Sequence, residues 1–235
     1  IGPWMRRGKL IAIAGKGGVG KTVISALAIR RLSQDYSVLA IDADPACSLP
    51  AALGVEIRRT IGDVREELAA PGRVPSNPEL PLEAAFDAKL AEVLVNAGSF
   101  WLLAMGRPEG PGCYCLINDI LRHSIDRLSR RFDVTVVDCE AGLEHLSRRT
   151  LRRVDALLIV TDPTKRGFLT AATIKRMAYE LEIGVGRAYA VVNRVAPGEE
   201  GRLAAEAGEL GLEVIGLVPE DANVAKFDRL GLPIA

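Results

Sequence analysis

The stretch Gly15–Thr22 reads GKGGVGKT. It lies between an apolar run, Leu10–Ala14, and an apolar-periodic stretch that begins at Val23. This is the phosphate-binding loop pattern G-x-x-x-x-G-K-[ST] in a strand–loop–helix setting. Its glycines let backbone N–H groups turn inward onto phosphate, the lysine reaches the outer phosphates, and the final hydroxyl suits magnesium. The loop predicts a nucleotide site made by Gly15, Gly17, Gly18, Val19, Gly20, Lys21, Thr22 and Val23, with Thr22 as a magnesium ligand.

The rest of the chain alternates between strand and helix patterns, which predicts an α/β fold. Strands are expected at Leu10–Ala14, Ser37–Asp42, Ser99–Met105, Asp133–Asp138, Ala156–Thr161, Arg187–Asn193 and Glu213–Val218. Helices are expected at Thr22–Leu32, Ile61–Leu68, Leu116–Ser129, Thr164–Glu182 and Gly201–Leu210. Several strands are continuous apolar runs, as in parallel strands buried on both faces. The pattern therefore indicates a doubly wound, mainly parallel sheet with helices on both faces.

Composition narrows the class of protein. With 235 residues, we expect residues 1–8 to be a cloning remnant and lead-in, and residues 9–235 to form one ATPase domain. The 30 basic and 30 acidic residues balance, so no nucleic-acid partner is expected. No apolar run is long enough to span a membrane, and we expect no membrane partner. The four cysteines favour a reducing, cytoplasmic setting over a disulfide framework.

Two aspartates follow predicted strands and are candidates for phosphate chemistry. Asp44 lies in Asp-Ala-Asp-Pro at the end of the second strand, where a carboxylate can order magnesium waters or the attacking water. A turn-forming Asp-Pro is the alternative for this residue. Asp138 closes the apolar strand Val134–Val137, which is the Walker B arrangement that holds magnesium in the second shell. We therefore expect Asp44 and Asp138 to act with Lys21 in catalysis.

Cys113 and Cys115 form a Cys-x-Cys pair in the Gly/Pro-rich segment Met105–Cys115. A thiolate near a helix N-terminus has a lowered pKa and binds metal more readily. Two thiolates make an incomplete site, because a closed structural zinc site takes four ligands. A symmetric dimer would duplicate the pair and complete it. Two half-buried cysteines in an ordinary loop remain the alternative interpretation.

The GKGGVGKT loop resembles that of the deviant Walker A ATPases, which include the MinD/ParA group and the nitrogenase iron protein. The resemblance implies ATP/ADP as the nucleotide and a role for Lys16, which would reach the partner's nucleotide across a dimer interface. It places Asp44 in switch I, positioning the hydrolytic water. It also implies that Gly142 bonds the γ-phosphate from switch II, and that Asn193, Pro219 and Asp221 line the base pocket.

Three further stretches resemble the accessory ATPases that insert nickel into carbon monoxide dehydrogenase, the CooC type. They are GRPEGPGCYC, which ends at Cys115, TIGDVRE at Thr60–Glu66 and DCEAGLEHLSR at Asp138–Arg148, and the resemblance runs from about Lys9 to Asp221. It implies an ATP- and metal-dependent homodimer that binds nickel or zinc between subunits through Cys113 and Cys115. The client would be a nickel enzyme such as carbon monoxide dehydrogenase. Cys47 and Cys139 depart from the pattern and are expected to be small apolar fillers.

Two other functions are compatible with the phosphate loop. A positioning ATPase of the MinD/ParA kind needs a basic amphipathic terminal helix or a basic surface. The tail Phe227–Ala235 carries one basic residue, Arg229, and Arg148–Arg153 is the main basic run. An iron–sulfur reductase like the nitrogenase iron protein would draw a second cysteine from just beyond switch II. That region holds Glu144, His145 and Leu146 instead.

Overall fold

The computed structural model describes residues 8–69, 82–106, 123–140, 153–180 and 184–234. The strands are β1 (Lys9–Gly15), β2 (Val38–Asp42), β3 (Val95–Asn96), β4 (Trp101–Ala104), β5 (Val134–Asp138), β6 (Arg153–Thr161), β7 (Gly184–Val195) and β8 (Val214–Pro219). The helices are α1 (Lys21–Leu32), α2 (Ser48–Leu53), α3 (Ile61–Ala69), α4 (Leu82–Val93), α5 (residues 123–129), α6 (Lys165–Glu180), α7 (Glu200–Glu209) and α8 (Ala222–Leu230).

The strands form one eight-stranded sheet in the order β3-β4-β2-β5-β1-β6-β7-β8. β3 and β4 pair antiparallel, and the other described pairs are parallel. β1 lies between β5 and β6, so the loop after β1 emerges near the middle of the sheet. β2 and β5 pair with Asp42 opposite Asp138, which places the carboxyl ends of both strands beside that loop.

Successive residues of a strand point to opposite faces of the sheet, and helices cover both faces. In β2, Leu39 and Ile41 join one apolar cluster with residues of α3, α4, α6 and α7. Val38 and Ala40 join the other cluster, in which α1 and α2 pack. The phosphate-loop helix and the short helix after Asp44 therefore share one face. The predicted doubly wound α/β fold is confirmed.

All seven predicted strand regions contain a strand, and four elements were not predicted: α2, α4, α8 and the two-residue β3. α2 is short and contains Pro50, which a first helical turn tolerates because its N–H groups have no intrahelical acceptor. The predicted helix Leu116–Ser129 is described only from residue 123. Across the described ranges, none of the helices combines the length and the apolar character that crossing a membrane requires.

Candidate functional site

The phosphate loop connects β1 to α1 and depends on glycine at three points. At Gly15, φ is 154°, and a Cβ there would overlap the carbonyl oxygen of Val160 on the neighbouring strand. Gly18 and Gly20 have φ of 79° and 91°, in the left-handed region that favours glycine. Gly20 is the N-cap of α1 and has no side chain to occupy the first N–H groups of that helix. Those N–H groups suit an anion, as the loop pattern predicts.

The hydroxyls of α1 bind the carboxylate at the end of β5. Thr22 Oγ1 donates to Asp138 Oδ2 at 2.8 Å, and Ser25 Oγ donates to Asp138 Oδ1 at 2.8 Å. Asp138 is 1% exposed, so the structure brings two predicted residues, Thr22 and Asp138, into direct contact inside the protein. Ser25 was not predicted, although its position three residues after Thr22 places it on the same face of the helix.

The electrostatics of the site fit a magnesium–nucleotide complex. Burial raises the pKa of Asp138, and burial is also the main cause that raises the pKa of Asp42 to about 7. The two carboxylates are opposite each other on β2 and β5, and the negative charge of Asp138 adds to the raised pKa of Asp42. The Thr22 hydroxyl, with the Asp138 carboxylate behind it, suits magnesium. A bound cation would supply the charge compensation that the buried Asp138 carboxylate needs.

The two lysines of the phosphate loop have different surroundings. Lys21 Nζ donates to the backbone carbonyl of Lys16 at 3.1 Å, so its ammonium lies against the loop itself. The side chain of Lys16 is exposed, which is the condition for a contact with a second chain.

Asp44 lies in a turn between β2 and α2. Its Oδ1 accepts a hydrogen bond from the Ala46 N–H at 2.8 Å, and its carbonyl accepts one from the Cys47 N–H at 3.0 Å. The hydroxyls of Thr22 and Ser48 are 3.4 Å apart, which connects the phosphate loop to the start of α2. Asp44 is thus close in the fold to the loop and half-buried.

The three candidate base-pocket residues lie at the ends of the neighbouring strands β7 and β8. Asn193 is 8% exposed, and its Nδ2 donates to the Val19 carbonyl at 2.8 Å. Asp221 is the N-cap of α8 and accepts a hydrogen bond from the Asn223 N–H at 2.8 Å. Pro219 pairs with Val195 and is exposed. The three residues therefore lie near the ends of adjacent strands, and Asn193 makes a contact to the phosphate loop that the sequence did not indicate.

The structure describes two of the four cysteines, Cys47 and Cys139. Cys113 and Cys115 lie outside the described residues, as does Gly142. Cys139 is in the apolar core with 2% exposure, where burial raises its thiol pKa well above the ordinary value, so it fits the expected role of a small apolar filler. Cys47 is half-buried and has φ of 50°, in the left-handed region. Among the residues for which the structure gives positions, no three His, Cys, Asp or Glu side chains form a group that could hold a metal.

Comparison with known proteins places this geometry among nucleotide-binding ATPases. A family model described as the CobQ/CobB/MinD/ParA nucleotide binding domain matches residues 10–234. An uncharacterised ATP-binding protein of Methanocaldococcus jannaschii is 45% identical over 230 residues, covering 96% of this chain and 90% of that protein.

Two relatives with a described role are also similar. The carbon monoxide dehydrogenase accessory protein CooC of Rhodospirillum rubrum is 34% identical over 239 residues, covering 94% of this chain and 88% of its own length. Among solved structures, the MinD cell division protein of Aquifex aeolicus superimposes with a TM-score of 0.69 at 25% identity, covering 96% of this chain and 88% of that chain.

Proposed function

We propose, from the premise that this chain belongs to the CobQ/CobB/MinD/ParA nucleotide-binding family and is an ATPase, that it is an ATP-dependent metallochaperone. In this proposal it binds nickel or zinc through Cys113 and Cys115 and assists nickel insertion into carbon monoxide dehydrogenase or a related nickel enzyme. The observation that carries the proposal is the 34% identity to a carbon monoxide dehydrogenase accessory protein, which extends over 94% of the chain. The Cys-x-Cys pair adds ligands suited to nickel or zinc.

The contacts around α1 support specific roles in ATP hydrolysis. Lys21 compensates the charge of the outer phosphates, and Thr22 binds the magnesium ion that accompanies ATP. Asp138 orients the Thr22 hydroxyl through the 2.8 Å hydrogen bond and contributes negative charge behind the ion. Asp44 positions the attacking water from the turn before α2. Gly142 contacts the γ-phosphate, Pro219 and Asp221 contact the base, and Asn193 supports the phosphate loop through its hydrogen bond to the Val19 carbonyl.

Dimerisation is the step by which the nucleotide would control the metal. Lys16 is exposed on the phosphate loop and would contact the nucleotide of a second copy. Two copies bring together four thiolates, which is enough for a closed site, whereas one copy offers two. ATP binding would thus favour the assembled metal site, and hydrolysis would weaken it. Reduced thiolates require a reducing compartment, which supports the cytoplasm.

The similarity to MinD supports a second candidate, a positioning ATPase. Such a protein would bind a membrane or DNA when ATP is present. Sedimentation with anionic vesicles and a salt-dependent DNA binding assay distinguish the two functions. ATP-dependent binding in either assay, without metal binding, would favour the positioning function.

The shared metal site is tested by metal stoichiometry measured together with molar mass. Elemental analysis with light scattering should give one nickel or zinc ion per dimer in the wild-type protein. Cys113→Ala or Cys115→Ala should each abolish tight binding, because symmetry removes two of the four ligands. Cys139→Ala is the matched control and should retain the metal, since Cys139 is buried in the core. One metal per monomer, or full binding by the Cys113→Ala/Cys115→Ala protein, would contradict the proposal.

A further inference from the structure

Asp42 connects the two ends of the segment that carries Asp44. It is the last residue of β2 and is fully buried. Its Oδ1 accepts a hydrogen bond from the Asp44 N–H at 2.9 Å, and its Oδ2 accepts one from the Leu49 N–H at 3.0 Å. One carboxylate therefore fixes the chain both where it leaves the strand and where α2 begins.

The start of α2 has no cap of its own. Its N-cap residue, Cys47, makes no side-chain capping hydrogen bond and has φ of 50°. The first N–H groups of a helix have no intrahelical acceptor and need one from elsewhere. Asp42 supplies that acceptor to Leu49 from the neighbouring strand. Without this contact, both the helix start and the turn before it would lose an anchor.

The backbone of Asp42 is itself held on both sides. Its carbonyl accepts a hydrogen bond from the Met105 N–H at 2.8 Å, at the end of β4. On the other side, the Ala43 N–H donates to the Asp138 carbonyl at 2.9 Å. Asp42 is therefore a rigid reference point. Through it, the position of Asp44 is set relative to Asp138, which in turn binds Thr22 of the phosphate loop.

We propose that Asp42 is a positioning residue for ATP hydrolysis, which holds the Asp44 turn in register with the phosphate loop through its two backbone hydrogen bonds. The proposal rests on the role of Asp44 proposed above. Asp42 contacts neither nucleotide nor water in this scheme and acts through Asp44. A displacement of about 1 Å at a reacting group can reduce a rate about a hundredfold, so the anchor has a measurable consequence.

The test is the variant Asp42→Asn. An asparagine amide has one acceptor oxygen, and its NH2 group would face the second backbone N–H, so one end of the segment is released whichever way the amide turns. We expect kcat for ATP hydrolysis to fall about tenfold or more. The Kd for ATP, measured by calorimetry, should stay within about threefold of the wild-type value, because the phosphate loop is unchanged. A fall in kcat without a matching loss of affinity separates positioning from general damage to the fold.

Asp155→Asn is the matched control. Asp155, on β6, also accepts a backbone hydrogen bond, from the Leu10 N–H at 3.0 Å. Leu10 is near the start of β1, so this bond is far from the phosphate loop, which follows the end of that strand. Its substitution should leave kcat unchanged. An unchanged kcat in Asp42→Asn, or an equal fall in Asp155→Asn, would overturn the inference.

The double variant Asp42→Asn/Asp44→Ala separates this inference from the role of Asp44. If Asp42 acts through Asp44, the double variant should be no slower than Asp44→Ala alone. A further loss of the same size as in the single variant would overturn the inference while leaving the role of Asp44 intact. An Asp44→Ala protein with wild-type kcat would instead remove the role of Asp44 and the inference together.

Discussion

Asp138 is a buried carboxylate that depends on two hydroxyl donors from a single helix. Thr22 and Ser25 each donate to a different oxygen at 2.8 Å. A hydrogen bond to a charged group contributes about 1.5–3 kcal/mol, more than one between neutral groups. Ser25 is therefore part of the site although it was not predicted to contact nucleotide or magnesium.

Ser25→Ala should lower the free energy of unfolding by about 1–2 kcal/mol, because one oxygen of a buried carboxylate loses its donor. The better helix propensity of alanine offsets part of the loss. The measurement is urea denaturation without nucleotide. Ser33→Ala is the control at the C-cap of the same helix, since Ser33 Oγ donates to the Arg30 carbonyl at 3.0 Å, and it should cost less. Equal costs for the two variants would show that Asp138 does not depend on Ser25.

Asp42 gives the stability of the ligand-free protein a pH dependence of known sign. Burial raises its pKa from 3.8 to about 7 in the folded state. Between these two values the folded chain binds more protons than the unfolded chain, so the free energy of unfolding falls as pH rises and levels off above about pH 7. Asp42→Asn lacks this titration. Its stability relative to the wild type should therefore improve from pH 4 to pH 7.5, by up to the order of 4 kcal/mol.

This difference is measured by urea denaturation of both proteins at several pH values, without nucleotide or magnesium. Comparing the two proteins cancels the other titrating groups, which they share. A difference that stays constant across the range would show that Asp42 keeps its charge in the folded protein.

At the scale of elements, the phosphate loop is held from outside by the end of β7. Asn193 Nδ2 donates to the Val19 carbonyl at 2.8 Å, and a Cβ at Gly20 would collide with that same amide nitrogen. The glycine thus has two functions: it adopts the left-handed conformation and it makes room for Asn193. The loop conformation is a property of β1, α1 and β7 together.

Asn193→Ala should weaken binding of ATP and of inorganic tripolyphosphate by the same factor, because the contact shown by the structure supports the loop that holds the phosphates. Calorimetry with both ligands measures the two dissociation constants. Asn223→Ala is a suitable control, since Asn223 lies beyond the sheet on α8. Weaker binding of ATP alone would show that Asn193 acts on the base, as the sequence prediction has it.

The elements that the sequence predicted are those with a strong local signal. The apolar run before Gly15 and the one before Asp138 form strands that are largely buried, as their continuous apolar pattern indicated. α2 lacked such a signal, because its six residues include Pro50 and its start depends on Asp42 seven residues earlier. The same limit applies to the site. The motif places Lys21 and Thr22, whereas the contacts of Ser25 and Asn193 depend on strand order, which local pattern does not determine.

At the scale of the whole molecule, the strand order gathers the site from distant parts of the chain. The sheet order runs through β2, β5, β1, β6, β7 and β8. The carboxyl end of the sheet therefore carries Asp42, Asp138, the phosphate loop and Asn193. Ligands on such sheets bind at the carboxyl ends of the strands. The exposed Lys16 lies at the same end of the sheet, and in the proposed function this is the face on which a second copy meets the nucleotide.

The proposed function requires that the nucleotide state change the affinity for metal. The most direct measurement is the nickel Kd of the full chain, determined by competition with a chelator in the presence of ATP and then of ADP. We predict at least about a fivefold difference between the two states, the lower end of ordinary coupling between sites. Lys21→Ala should abolish the difference. Lys175→Ala should retain it, because Lys175 is a half-buried lysine on α6 that donates to the Gly211 carbonyl. Equal nickel affinity with ATP and ADP in the wild-type protein would contradict an ATP-dependent metallochaperone.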